Sequence, residues 1–238
     1  IEIHGGICLN HYTGGLNPFA VAACITFGGK DVKMPNIHAK HHIDAFGTPT
    51  YSHIAPTAGA AAEARLADKV VGITIFDEKE NLKPEVYEIL ALIAEADIGI
   101  ETGHLSPKES LALVKAAKET GVTKVWQTHA NWEALYHYTM DQVVELADEG
   151  AFIELTANFA YSSSASDISN RGAEYTLDIM KAVGPSRCTM ASDLGTAGRT
   201  NVVEGMRVYV HTMMRLGITR EEIDVMLKDN PARLLGLK

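Results

Sequence analysis

The sequence predicts an α/β protein: a parallel (β/α)8 barrel of the TIM type, with six of its strands in this chain. Three observations carry this. Short apolar runs alternate with amphipathic helical stretches along the whole chain, and that rhythm gives a parallel sheet covered by helices. The runs end repeatedly in His, Asn or Asp, which is where parallel α/β folds put their chemistry. The competing architecture, an open doubly wound sheet, calls for a glycine-rich phosphate loop after the first strand. Gly5-Gly6 and Gly14-Gly15 do not make one.

The elements follow in order. The first run, residues 1–9, carries Ile1, Ile3, Ile7 and Leu9; the next covers 31–35. Four more fall at 98–101, 124–127, 152–155 and 188–191. Helical patterns occupy 18–27, 84–96, 107–120, 140–149, 175–183, 202–216 and 220–227, with apolar residues three and four apart, as in Leu111, Val114 and Ala117. Ser106-Pro107-Lys108-Glu109 supplies an N-cap serine, an N1 proline and an N3 glutamate. Thr219 caps the last helix, with Glu221 and Glu222 in its first turn. Gly121, Gly150 and Gly217 close helices. Residues 38–76 break the rhythm with four histidines and the alanine-rich stretch 58–64. Such a long insertion is more often functional than a plain connector. It is expected to lie over one end of the barrel, with 70–76 forming a hairpin. A closed barrel needs eight strands. The chain also opens at Ile1, without a Met and inside an apolar run. The expectation is one domain over residues 1–238, completed by an N-terminal segment or a separate chain.

Composition narrows the function. A net charge of −9 argues against nucleic acid, whose phosphates need a basic partner surface. There is no run of about 18 apolar residues to span a membrane and no signal peptide pattern, so a cytoplasmic protein with a small-molecule ligand is expected. Cys8, Cys24 and Cys188 are too scattered for a disulfide framework or a zinc knuckle. Cys8 and Cys24 read as core thiols.

The strand ends select the candidate site. The first run ends at Asn10-His11, the second at Asn36-Ile37-His38 followed by His41 and His42, and the third at Gly103-His104. Thr128-His129 and Ser192-Asp193 follow the fourth and sixth. His104, His129 and Asp193 each sit just past an apolar strand, and imidazole with carboxylate suits zinc, with manganese, iron or nickel as alternatives. A bound divalent ion lowers the pKa of water from about 16 to about 7. A nearby carboxylate, here Asp193, then takes and returns the proton. Asn10, His11, His38 and His42 are the candidate substrate contacts. His4 reads as packing, and His53, His137 and His211 as peripheral. Asp167 and residues 162–164 belong to a serine-rich loop with no nucleophile elbow around them.

Thr128-His129, Ser192-Asp193-Leu194-Gly195 and the ending Asn230-Pro231-Ala232-Arg233-Leu234-Leu235-Gly236-Leu237 resemble the amidohydrolase superfamily. The closer resemblance is to a little-characterised amidohydrolase-like branch. It rests on Gly5-Gly6-Ile7-Cys8-Leu9-Asn10, Gly14-Gly15-Leu16-Asn17-Pro18, Met34-Pro35-Asn36 and Gly103-His104-Leu105-Ser106-Pro107 as an ordered set. The resemblance implies that the visible strands are three to eight. His104, His129 and Asp193 then match the metal ligands of strands five, six and eight. The first-strand His-x-His of that superfamily is missing here, which implies an N-terminal fragment or companion subunit that supplies it, and an oligomer. Lys33 falls on a strand where some binuclear metal barrels carry a carboxylated lysine.

The expected function is metal-dependent hydrolysis of a C–N or C–O bond (amide, cyclic amide, lactone or ester) by metal-bound hydroxide. His129 and Asp193 are the catalytic residues. The rivals are a metal-dependent decarboxylase or other lyase, and a non-catalytic barrel subunit of a hetero-oligomer.

Overall fold

A computed structural model describes residues 3–49, 65–67, 69–160, 172–195 and 199–237. Six strands pair in one parallel sheet in sequence order: β1 Gly6–Cys8, β2 Asp31–Lys33, β3 Gly99–Glu101, β4 Val125–Gln127, β5 Phe152–Thr156 and β6 Cys188–Ala191. Every crossover advances the sheet by one place, and right-handed connections of that kind put the crossover helices on one face. A doubly wound sheet would reverse its order partway, so this is an arc of barrel strands.

The strands obey a period of two. Val32, Ile100, Val125, Ile153, Leu155 and Met190 point outward into the main hydrophobic core under the helices. The opposite face looks into the lumen. It carries Asp31 and Lys33 on β2, Glu101 on β3, Trp126 on β4, Phe152 and Glu154 on β5 and Thr189 on β6. Near the floor of the lumen, Trp126 and Phe152 form a second small core with Leu234.

The helices are α1 Pro18–Thr26, α2 Lys40–Phe46, α3 Pro84–Ala96, α4 Pro107–Glu119, α5 Glu133–Tyr136, α6 Met140–Asp148, α7 Ala157–Ala160, α8 Gly172–Val183, α9 Val202–Arg215, α10 Arg220–Asp224 and α11 Asn230–Leu234. The seven expected helices are present, and four short ones that the sequence did not announce, α2, α5, α7 and α11, join them. Ser106 and Glu109 form the expected capping box on α4, and Thr219 forms one with Glu222 on α10. The helix after Thr219 does not run on regularly to Leu227: it loosens into a π-turn at Val225–Asp229.

Other expectations are corrected. Only Gly6–Cys8 of the first run is strand. Residues 70–76 form no hairpin. Ile73 instead makes one parallel bridge to Ala39, and Phe76 one antiparallel bridge to Leu82. The segment hydrogen-bonds to residues 38–40, through Ile73 N to His38 O and Lys40 N to Ile73 O. Only its end turns back antiparallel, with Lys83 N bonded to Ile75 O and Asp77 N to Asn81 O. Cys8 and Cys24 are half-buried, not core, and Cys188 alone is fully buried. In the tail Leu234 packs inward while Leu237 is exposed. His53, residues 58–64, Ser162–Ser164 and Asp167 lie outside the described residues.

Among the described strands, β1 and β6 each have one paired neighbour. Beside β1 lies an open hollow of about 560 Å³ lined by Gly5, Gly6, Ile7, Ala23, Cys24 and Phe27. Phe19 and Phe27 on that side are almost fully exposed. Val203 and Val208 on α9 are exposed as well.

Candidate active site

His104 and His129 come together at the C-terminal ends of β3 and β4, both buried, with ring centroids 5.7 Å apart. The backbone that delivers them is unusual. Gly103, one step before His104, has φ +59, and His104 N donates to Pro35 O at 2.9 Å. His129 and Asp193 hold left-handed backbone at φ +48 and φ +50, though neither is glycine. Such residues are uncommon and persist where the surroundings over-determine them. Asp97 and His137 share that conformation as helix C-caps. His129 and Asp193 share it at strand ends, where no cap explains it.

His104 faces a second histidine. Its Nδ1 lies 2.9 Å from Nδ1 of His42 on α2, and the rings stack at 4.9 Å. One of these nitrogens donates and the other accepts, so the contact suits two neutral rings. Burial, with His42 and His129 adjacent, holds the His104 imidazole well below its usual range. His104 is therefore neutral at physiological pH. The walls are aromatic: Trp132 stacks on Phe46 at 5.2 Å and on Phe159 at 4.6 Å.

His129 has the opposite environment. Burial disfavours its imidazolium, but the carboxylates of Asp193 and Glu154 outweigh that and raise its pKa. Nδ1 lies 3.1 Å from Glu154 Oε2, within ion-pair range but short of hydrogen-bond alignment. The same oxygen accepts the His129 backbone N–H at 3.0 Å. Asp193 accepts a hydrogen bond from Asn158 Nδ2 at 3.1 Å on Oδ2.

Below the histidines, a lumen cavity of about 200 Å³ is lined by Glu101, Glu154, Thr189 and Leu234 among others. Lys33 reaches Glu101 Oε2 at 2.7 Å. Burial works against the ammonium, but Glu101 and Glu154 hold the proton on it. Burial pushes Glu101 up to about 7, with Glu154 and Asp31 adding to the effect and Lys33 opposing it. Burial would also raise Glu154, but His129 and Lys33 prevail and hold it down to about 2. None of these carboxylates stood out in the sequence reading. The available signal was a Glu inside an apolar strand, since Glu is almost never fully buried unless paired.

The remaining predicted residues lie around β1 and β2. Asn10 is buried, and its side chain ties loops together: Oδ1 accepts from Asn36 N and His38 N, and Nδ2 donates to Cys8 Sγ. His38 Nδ1 accepts the His11 backbone N–H at 2.9 Å, and burial with His11 nearby lowers His38 to about 4. His11 Nε2 lies 2.8 Å from Val71 O. His11, Tyr12, His38 and Lys69 line a hollow of about 310 Å³. His41 turns away to Leu135 O.

Two imidazoles and a carboxylate are the right donors for a divalent ion. Among the described residues, however, no three His, Cys, Asp or Glu stand close enough together to hold one. The chain fits a metal as a partial shell, in donor chemistry but not in completeness.

Three solved structures share the fold. An amidohydrolase from Pseudomonas aeruginosa is 16% identical, with a TM-score of 0.55, covering 90% of this chain and 67% of that one. A metallo peptidase from Rhodobacter sphaeroides, liganded with a phosphinate mimic of the dipeptide L-Ala-D-Ala, is 14% identical, with a TM-score of 0.61. That match covers 95% of this chain and 61% of the peptidase. An amidohydrolase from Burkholderia multivorans with bound zinc is 12% identical, with a TM-score of 0.52, covering 98% and 83%. All three are amidohydrolase-superfamily structures, and at these identities the likeness is one of fold. No helix among the described residues is long and apolar enough to cross a membrane. No curated protein matches the sequence. Residues 1–154 match the model of a family of unknown function, and the chain belongs to that family, DUF6282.

Proposed function

We propose that this chain is the larger part of a cytoplasmic metal-dependent hydrolase that cleaves a C–N or C–O bond of a small molecule. The observation that supports it best is the meeting of buried His104 and His129 at the C-terminal strand ends, with the Asp193 carboxylate acting on His129. A divalent ion, with zinc the leading candidate, supplies Lewis acidity and an acidified water when bound.

The chain's own residues do the rest. Neutral His104 offers a lone pair, with its ring held by His42. His129 offers a second imidazole, backed by Glu154. Asp193, anchored through one oxygen by Asn158, takes the proton of the attacking water and passes it to the leaving group. The stack of Phe46, Trp132 and Phe159 keeps bulk water from the paired histidines. His11 and His38 shape the substrate side, and Asn10 fixes the loops that carry them.

A β/α segment bearing His-x-His, from an N-terminal fragment or a companion subunit, completes the shell and one barrel domain. It covers the β1 edge, where Phe19 and Phe27 expose apolar surface. One observation favours a second reading, a non-catalytic barrel subunit: no three donors gather among the described residues.

The test is elemental analysis after reconstitution with zinc or manganese, alone and with a His-x-His segment, followed by a panel of amides, lactones and esters. About one or two equivalents of metal, lost in His104→Ala and Asp193→Ala, together with turnover, are expected. Folded protein that takes up no metal in any of these mixtures refutes the hydrolase reading and supports the binding subunit.

A further inference from the structure

Of the charges in the lumen, only Glu154 has entered the reaction described so far, as the carboxylate behind His129. We infer that Glu154 is a positioning residue for His129, holding its ring with Nδ1 toward the lumen and Nε2 on the far side, available to a ligand. This rests on the proposed function in taking His129 as a working residue.

Three contacts run from this one residue of β5 to two consecutive residues after β4. Oε2 accepts His129 N at 3.0 Å and faces His129 Nδ1 at 3.1 Å, and the main-chain oxygen accepts Ala130 N at 2.9 Å. Together they pin the left-handed turn at His129. A carboxylate against one imidazole nitrogen fixes the tautomer and orientation of the ring, and makes the other nitrogen the better donor.

A purely structural role does not account for a charge here. A buried carboxylate carries a desolvation cost of several kcal/mol. The backbone N–H of His129 needs only a neutral acceptor, which a glutamine carbonyl would provide. A cation shares the lumen with Glu154: Lys33 lies there, paired with Glu101 at 2.7 Å.

The experiment compares the parent with Glu154→Gln, and with Glu101→Gln as a second loss of a lumen charge. Long-range ¹H–¹⁵N spectra of the imidazoles, taken at a pH where His129 is neutral, read its tautomer without any metal. The parent and Glu101→Gln are expected to show one tautomer, Nδ1–H. Folded Glu154→Gln is expected to show a mixture, and zinc binding weakened by about 10–100-fold. A fixed Nδ1–H tautomer that persists in folded Glu154→Gln overturns the inference. So does an Nε2–H tautomer in the parent, whether or not the variant folds. If the parent takes up no zinc, the metal reading fails alone, and the tautomer still decides the role of Glu154.

Discussion

Gly103→Ala should separate the geometry of the site from the general stability of the barrel. A methyl group there would lie 2.7 Å from Pro35 O and nearer still to Met34 O, where ordinary contact starts at 3.4 Å. Both neighbours are backbone, so the strand end must open by at least about 0.7 Å, counting the Pro35 side alone. Left-handed φ at a non-glycine residue costs about 1–2 kcal/mol, and forcing open a packed contact about 1–3 kcal/mol more. The expected loss is therefore about 2–5 kcal/mol in urea unfolding. Gly121 is the control: it too is left-handed, but an added methyl meets nothing within 4 Å. Gly121→Ala should lose only the conformational part, about 1–2 kcal/mol. The loop opened at Gly103 carries His104, whose N–H bonds to Pro35 O. A displacement approaching 1 Å in a site costs about 100-fold in rate. Turnover by folded Gly103→Ala should fall by about that factor, with Gly121→Ala unaffected. Equal destabilisation of the two variants, or full turnover in Gly103→Ala, would refute the steric reasoning.

Two further perturbations probe the lumen. Glu101 has a folded pKa of about 7, above the ordinary carboxylate value, so the native state holds its proton longer than the unfolded chain. The stability this gives is complete below about pH 4.5 and is lost as pH rises through about 7. Relative to the parent, Glu101→Gln should gain stability across that window, by about 1 kcal/mol or more in urea unfolding; a flat difference would count against the assignment. Leu234→Ala leaves a hole against Trp126 and Phe152 and should cost about 2–4 kcal/mol. A loss under about 1 kcal/mol would mean that α11 does not close the floor.

The outward face of the barrel was legible because burial writes itself as apolar runs: Val32, Ile100, Val125 and Ile153 all fall inside the runs read as strands. His104, His129 and Asp193 stood out for a positional reason, as the His and Asp residues just past those runs, and the structure brings the two histidines together. The lumen was not. Glu101 and Glu154 looked like isolated polar interruptions, because their partners, Lys33 on β2 and His129 just past β4, are 68 and 25 positions away in the chain and only the sheet brings them together. Helix α2 was equally hidden. Lys40–Phe46 has no side-chain cap, and its one fully buried residue, His42, is a histidine.

That hidden helix changes how the insertion is understood. A loop that merely shaped a pocket would present His42 to solvent or to a ligand, and Ala at that position would chiefly alter substrate preference. In the structure His42 is fully buried, and its Nδ1 meets Nδ1 of His104. The insertion thus reaches past the pocket wall to the residue most suited to donate a lone pair. The same bonds that place α2 also tie it to residues 70–76, through Lys40 N and Ile73 O. His42 thus joins the insertion to the ring of His104, and His42→Ala should disturb metal affinity as well as substrate choice. A His42→Ala variant with altered substrate preference but parental zinc affinity would confine the insertion to the pocket wall.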